Sequence, residues 1–411
     1  MSMVEVFGAR VRQARVLRQL PGTAVMAHMR WRSPRQTRLE QSDTAVLDAG
    51  ELHRLASFLR FPAPFFTTAP VSRVSAQDLL FRAPKSTTVA EKEYLAAFAN
   101  VVGDLADDLN ARTTLPPVLI EPLSSGADVV FAAAQTRKRL GLQPLTPIKS
   151  LVYELECAGV PVVLRTRLSR STGQIDWDGP ADEPAGASTE KHLGCSARTG
   201  AYRERPVVLL RGEDSWERIR WTVAHEIGHL ALHRYGDVTG QEEREASRFA
   251  SEFLAPAEAL KSEISDVPTL NELVELKLKW RLSLGALIIH LRESKLIDSA
   301  RAQTLQRQLY TRVNTDTGHT WGKTEPGWDA FAPERPRLLS RWMEACYGTS
   351  AADALVAHEL IYPTDLLADI LAGQRGAAAP VSAAPQYAAR HDDDVPTGAN
   401  VVALDRKRQQ G

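Results

Sequence analysis

The stretch WTVAHEIGHLALHR, residues 221–234, contains three histidines at four-residue intervals, with a glutamate directly after the first. Residues four apart share one face of an α-helix, so His225 and His229 can direct ring nitrogens at the same ion. Zn²⁺ accepts such neutral nitrogens at ~2.0–2.1 Å, and a catalytic zinc site keeps one position open for water. Glu226 lies about 100° around the helix from His225, so its carboxylate falls beside that water and can accept its proton. The pattern predicts a catalytic zinc site on a buried helix.

The third metal ligand is expected on another helix. His233 lies ~12 Å along the helix axis from the first histidine, too far to share its ion, and is predicted to cap the helix or to support a ligand. The segment QEEREASRFASEFLAP, 241–256, is a predicted helix that offers carboxylates. Glu243 is the first choice, because it shares a helix face with small residues that permit close packing. Glu245 is the second choice and Glu242 the third.

The flanking sequence predicts a mostly α-helical protein with a small β-sheet. The run PVVLL, 206–210, and the β-branched segment Val160–Leu164 are predicted strands, and PVVLL is a candidate to pair with an extended substrate. Residues 169–200 are rich in Ser, Gly, Asp and Pro and predict a long loop. Other helices are predicted over 4–18, 23–29, 33–41, 50–60, 91–112, 127–140, 214–234, 241–263, 269–280, 284–295 and 298–313.

The sequence RIRWTVAHEIGHLALHR, followed by EREASRFASEFLAP, resembles the ImmA/IrrE family of metallo-endopeptidases. Members of that family combine a near-identical helix with an E-x-E-A-N-x-F-A-x-x-L-L-x-P helix, and the resemblance covers about residues 145–265. It implies a gluzincin-like core and a repressor protein as substrate. Ser247 stands where the family usually has Asn. The implied site residues are His225 and His229 as zinc ligands, Glu226 as general base, and Glu243, the first glutamate of E-x-E-A, as third ligand.

Residues 1–64 contain ten Arg and no Lys against five acidic residues, a local charge of +5 that suits a polyanion. The order of predicted helices resembles an Xre-type helix-turn-helix domain, with Arg30 at the usual turn glycine and Ser33 capping the recognition helix. The resemblance implies a five-helix bundle that binds DNA, with Arg32 on phosphate. Contacts to base edges are expected from Ser33, Arg35, Gln36 and Arg38. The alternative is a helical bundle whose arginine face contacts solvent or a partner protein.

Composition limits the remaining possibilities. No segment approaches the ~18 uninterrupted apolar residues of a membrane span, and the N-terminus has no signal-peptide pattern. Three distant cysteines argue against a disulfide framework, so a cytoplasmic location without a membrane partner is expected. The predicted domains are 1–68, Xre-like helix-turn-helix; 69–145, helical connector; 146–265, zinc peptidase core; 266–373, C-terminal helical region; and 374–411, disordered tail.

These features together predict a DNA-binding regulator with a zinc endopeptidase domain that cleaves a transcriptional repressor, in a phage or mobile-element setting. DNA and the repressor are the expected partners, and a homo-oligomeric state is left open. The alternative is a transcription factor or antitoxin-like protein whose peptidase-like domain is a non-catalytic metal or ligand sensor. The presence of Glu226 favours the enzyme, because a sensor need not keep it. A third possibility is an accessory protein that cleaves only itself.

Overall fold

The computed structural model describes residues 2–80, 88–124, 126–165, 194–211, 215–233, 240–348 and 360–372. Within these residues helices predominate beside two small sheets, which confirms a mostly helical α+β fold. In this part of the chain no helix combines the length and the apolar content needed to cross a membrane. The predicted tail, 374–411, and most of the predicted loop over 169–200 lie outside the described residues.

The N-terminal part combines short helices with a two-stranded antiparallel sheet. Its elements are β1 Met3–Phe7, α1 Gly8–Leu17, α2 Gly22–Met29, α3 Arg35–Gln41, β2 Thr44–Asp48, α4 Ala49–Leu59 and α5 Ala63–Thr67. The prediction of one helix over 4–18 is therefore wrong at its start. The β-branched Val4 and Val6 favour extended backbone, and β1 pairs with β2 in the register Val4↔Leu47. Local apolar spacing did not reveal this distant strand partner.

A three-stranded sheet packs against the helix that carries the histidine motif, α9 Trp216–Leu232, called the motif helix below. Its strands are β3 Val162–Arg165, β4 Gly194–Thr199 and β5 Arg205–Arg211, in the order β3-β5-β4, with β3 parallel and β4 antiparallel to β5. The two predicted strands are present, but PVVLL lies in the central strand, whose main chain already pairs on both sides. The prediction that PVVLL pairs with substrate is therefore wrong. β4, the edge strand next to the motif helix, falls within the segment 169–200 for which the sequence predicts a loop. That prediction is therefore wrong over 194–199.

One helix joins the N-terminal part to this sheet: α6 Val89–Arg112. On its N-terminal side, Arg10 of α1 forms a buried ion pair with Asp104, with 2.8 Å between Nη1 and Oδ2. On the sheet side, a Cβ at Gly103 would come within 2.4 Å of the Thr199 side chain, so only glycine lets α6 cross β4 here. The N-terminal helices, α6 and one face of the sheet consequently share one hydrophobic core.

The remaining helices cover the other face of the sheet and extend toward the C-terminus. They are α7 Val129–Arg139, α8 Leu151–Cys157, α9 Trp216–Leu232, α10 Gly240–Leu254, α11 Ala257–Lys261, α12 Leu270–Trp280, α13 Leu284–Glu293, α14 Ser299–Thr311, α15 Leu338–Tyr347 and α16 Thr364–Ala372. The helices predicted over 127–140, 269–280, 284–295 and 298–313 agree with α7 and α12 to α14 within two residues. The helix predicted over 241–263 is wrong beyond Leu254, because Pro256 separates α10 from α11.

Buried ion pairs fix the first two turns of α9 against the C-terminal region. Lys277 Nζ lies 2.7 Å from both Glu217 Oε1 and Glu325 Oε2, and Lys277 is fully buried. One turn further along α9, the buried Arg220 pairs with Glu334. Removing one partner of such a pair leaves an uncompensated buried charge, which is strongly destabilising. The C-terminal region therefore holds the motif helix in place.

Candidate metal centre

The motif helix α9 is buried along most of its length. It begins after Ser215, whose hydroxyl accepts a 3.4 Å hydrogen bond from the backbone N–H of Arg218. Apolar side chains on several faces, including Val223, Ile227 and Leu230, are fully buried. The sheet and the neighbouring helices surround α9, so its polar side chains have defined partners inside the protein.

Close packing of α9 on α10 brings a carboxylate to the histidines. A Cβ added at Gly228 would lie 3.0 Å from Phe249 Cδ1 and 3.1 Å from the Cα and the carbonyl oxygen of Ala246. The two helices approach this closely because α9 has glycine and α10 has alanine at the contact. Glu243, one turn before Ala246, then faces His225 and His229.

Three donor atoms converge at this point. His225 Nε2 lies 3.1 Å from His229 Nε2 and 3.3 Å from Glu243 Oε2, and His229 Nε2 lies 3.2 Å from Glu243 Oε1. A tetrahedral zinc with bonds of ~2.0–2.1 Å needs ligand atoms about 3.3 Å apart. Both the spacing and the chemistry of this donor set therefore fit Zn²⁺. Among the described residues these three side chains form the group that could hold a metal ion.

The other candidates for third ligand are placed differently. Glu245 Oε2 lies 3.2 Å from His233 Nε2 and so points at the end of α9, away from the converging donors. Glu242 is not part of the converging group either. The geometry thus favours Glu243, the first choice from the sequence.

The ionisation of the donors suits metal binding. Partial burial alone would raise the pKa of Glu243, but hydrogen bonds with His225 and His229 outweigh it and lower that pKa below its usual value. Burial lowers the pKa of His229 to about 4, so its ring is neutral at pH 7. A metal site needs such an ionised carboxylate and neutral imidazoles with free lone pairs.

Glu226 lies beside the donors and is 2% exposed. Its Oε2 accepts a 2.7 Å hydrogen bond from Ser196 Oγ on β4. Burial raises the pKa of Glu226 to about 8; the Ser196 bond opposes this shift and the charge of Glu243 adds to it. A cation held by the three donors would lower this pKa. A Cβ at Gly194 would come within 3.2 Å of Glu226 Oε1, so glycine leaves space at that oxygen.

Ser196 was not predicted from the sequence. It lies in the segment predicted as loop, and no motif marks it. Its main chain is also engaged at the outer edge of β4: Leu80 N–H donates to Ser196 O at 2.8 Å, and Ser196 N–H donates to Leu80 O at 3.3 Å. An extended peptide can therefore pair with β4 at Ser196 only after Leu80 moves away.

The residues predicted to contact DNA lie on α3 and in the turn before it. Arg32, Ser33, Arg35 and Arg38 are exposed, whereas Gln36 is 3% exposed and hydrogen-bonded to Glu40. The prediction that Gln36 points into a DNA groove is therefore wrong. Gln36 lies three residues before the buried Leu39, so both share the core face of α3.

Two further details of this region bear on the predicted helix-turn-helix. Ser33 does not cap α3, because the capping position is Pro34 and no side-chain cap bond is present, so that prediction is wrong. Arg35 is already engaged, 2.8 Å from Glu51 and with its guanidinium 4.7 Å from the Trp31 ring centre. Arg30 has a φ of 51°, the left-handed conformation that a turn glycine would adopt.

The comparison with protein families agrees with the geometry of the metal centre. Residues 183–292 match the family of M78 peptidases, described as the IrrE N-terminal-like domain. This range contains β4, β5, α9 and α10, and with them every donor of the metal centre together with Glu226. The chain therefore carries a metallopeptidase-like domain. No curated protein matches the chain.

Proposed function

We propose that the chain is a zinc-dependent endopeptidase. The observation that carries the proposal is the convergence of His225, His229 and Glu243 within zinc-ligand spacing, with Glu226 beside them. The match of residues 183–292 to a peptidase family supports it. A bound zinc would polarise the scissile carbonyl and activate the attacking water.

Glu226 is the general base of this proposal. Its Oε2 is held by Ser196, so Oε1, on the side where Gly194 leaves space, accepts the proton of the attacking water. The buried surroundings favour the protonated carboxyl that results. Glu226 can then deliver this proton to the leaving amine, which completes the cleavage of the peptide bond.

The wider role we propose is that of a cytoplasmic regulator that binds DNA through residues 1–68 and cleaves a transcriptional repressor. Support comes from the charge of +5 over residues 1–64, the exposed Arg32 and Arg38, and the left-handed turn at Arg30. Since Arg35 is engaged by Glu51, Arg32 and Arg38 are the cations of this surface most available to phosphate or base edges.

One observation favours the alternative, a non-catalytic metal or ligand sensor. Leu80 occupies the edge of β4 at Ser196, where an extended substrate would otherwise pair. The buried, hydrogen-bonded Glu226 favours the enzyme, because holding a metal requires only the three donors. A proteolysis assay distinguishes the endopeptidase from the sensor.

The test uses the purified full chain, loaded with zinc and incubated with a repressor encoded beside it. We expect fragments of the repressor with the native chain and none with Glu226→Gln, at an unchanged zinc content. Glu293→Gln is the matched control: Glu293 is exposed on α13, pairs with the neighbouring Arg292 and is not one of the converging donors, so this variant should cleave the repressor normally. Zinc binding without any cleavage would support the sensor, and fragments of the chain alone would support self-cleavage. Loss of zinc together with activity in Glu226→Gln would contradict the separation of ligand and base.

A further inference from the structure

We propose that His233 and Glu245 are positioning residues: they fix the ring tautomer of His229 and thereby tighten zinc binding. The inference rests on the proposed zinc centre and extends it to a chain of three side chains, Glu245–His233–His229, called the relay below. His233 lies at the C-terminal end of α9, and Glu245 lies on α10.

The contacts of the relay are continuous. His229 Nδ1 lies 3.0 Å from His233 Nδ1, and His233 Nε2 lies 3.2 Å from Glu245 Oε2. The carboxylate is itself oriented, because Gln241 Nε2 donates a 2.9 Å hydrogen bond to Glu245 Oε1. His229 and His233 are both buried, so water does not compete for the hydrogen bond between them.

Only one arrangement of ring hydrogens satisfies these contacts once zinc is bound. His229 Nε2 faces the other donors and must offer its lone pair, so the hydrogen of this ring sits on Nδ1. Two nitrogens 3.0 Å apart need one donor and one acceptor, so His233 Nδ1 accepts. The hydrogen of His233 is then on Nε2, where it donates to Glu245. The carboxylate at the end of the relay therefore selects the tautomer that His229 needs as a ligand.

The second histidine ligand provides an internal comparison. His225 Nδ1 has Ser247 Oγ at 3.5 Å, a weak contact with a hydroxyl that can rotate and either donate or accept. Ser247 therefore does not impose a tautomer on His225. The two histidine ligands therefore differ in whether a hydrogen-bond partner fixes their ring tautomer. A change at His233 should weaken zinc binding more than a change at Ser247.

The test measures the zinc dissociation constant of the full chain by competition with a chelator. His233→Leu removes the acceptor for His229 Nδ1–H, and loss of such an outer partner weakens metal binding by about 10- to 100-fold. His233→Asn places an amide oxygen near the position of Nδ1, so we expect its dissociation constant within about threefold of the native value. Ser247→Ala, the control, should change it by no more than about twofold. The melting temperature of each metal-free variant reports on folding separately.

Each outcome has a distinct meaning. Weak zinc binding by His233→Leu, with recovery in His233→Asn, supports the step of the relay in which residue 233 accepts the hydrogen bond from His229 Nδ1–H. Native affinity in His233→Leu overturns it. Equal losses in both variants, in step with a lower melting temperature, also overturn it, because His233 would then act through packing alone. If the native chain binds zinc but cleaves nothing, the proposed endopeptidase fails and the relay stands; if it binds no zinc, both fail.

Discussion

Gly228→Ala tests whether the close approach of α9 and α10 is what places the third donor. The new Cβ would lie 3.0 Å from Phe249 Cδ1 and 3.1 Å from the Cα and O atoms of Ala246. Carbon contacts normally lie at ~3.5–4.0 Å, and two of these three neighbours are main-chain atoms of α10 that cannot rotate away. The two helices must therefore separate locally by a few tenths of an ångström.

The expected effect on zinc binding follows from this displacement. Glu243 lies 3.2–3.3 Å from the two histidine nitrogens, and metal-site distances tolerate only about ±0.2 Å. We expect zinc affinity to fall at least about tenfold, the smallest loss typical of a disturbed ligand environment. Overpacking costs about 1–3 kcal/mol, and replacing a helical glycine by alanine returns about 1 kcal/mol. The net loss in the free energy of unfolding is then about 0–2 kcal/mol.

Chelator competition and thermal melting measure these two effects. Gly285→Ala is the matched control, because its new Cβ on α13 would meet nothing within 4 Å. We expect the control to keep native zinc affinity and to melt no lower than the native chain. Equal zinc affinities in Gly228→Ala and Gly285→Ala would show that helix separation does not control the position of Glu243, and would refute the reasoning.

Two further predictions concern other parts of the chain. Burial lowers the pKa of His290 to about 4, so the unfolded chain takes up a proton below pH 6.5 that the folded chain takes up only near pH 4. The stabilisation from neutral His290 is full above pH 6.5 and is lost as the pH falls toward 4. His290→Gln keeps a donor for Ala255 O, so its melting temperature should fall less between pH 7 and 4.5; equal slopes would contradict this. Arg32→Ala should reduce the salt dependence of duplex DNA binding by about one phosphate contact, and Arg307→Ala on α14 should not; equal changes would contradict a contact by Arg32.

The parts of the candidate site that follow from local helix geometry could be predicted from the sequence. The spacing of His225 and His229 places both on one face of any straight helix. Glu226 is the next residue after His225, so its position about 100° around the helix axis follows as well. The choice of Glu243 required one further inference: the small residues that share its helix face permit close packing against the motif helix. The structure places these side chains together, with Gly228 at the helix contact.

The missed features depend on partners distant in sequence. β4 has the sequence GCSART, which lacks aromatic residues and has little β-branched character, so pairing with β5 and Leu80 makes it a strand. Ser196 could not be linked to Glu226 without that pairing. The inward direction of Gln36 likewise depends on tertiary packing, since the apolar pattern of so short a helix leaves its buried face open.

β4 is the element through which the N-terminal part reaches the candidate catalytic base. Neighbouring strand residues point to opposite faces, so Cys195 and Ala197 pack in the core shared with the N-terminal helices and α6, while Ser196 binds Glu226. Leu80, on the segment that follows the N-terminal helices, pairs with the main chain of Ser196. A displacement of α6 or of Leu80 relative to the sheet must therefore be accommodated at the residue that orients Glu226. Interfaces packed this closely transmit displacement because they have few voids to absorb it.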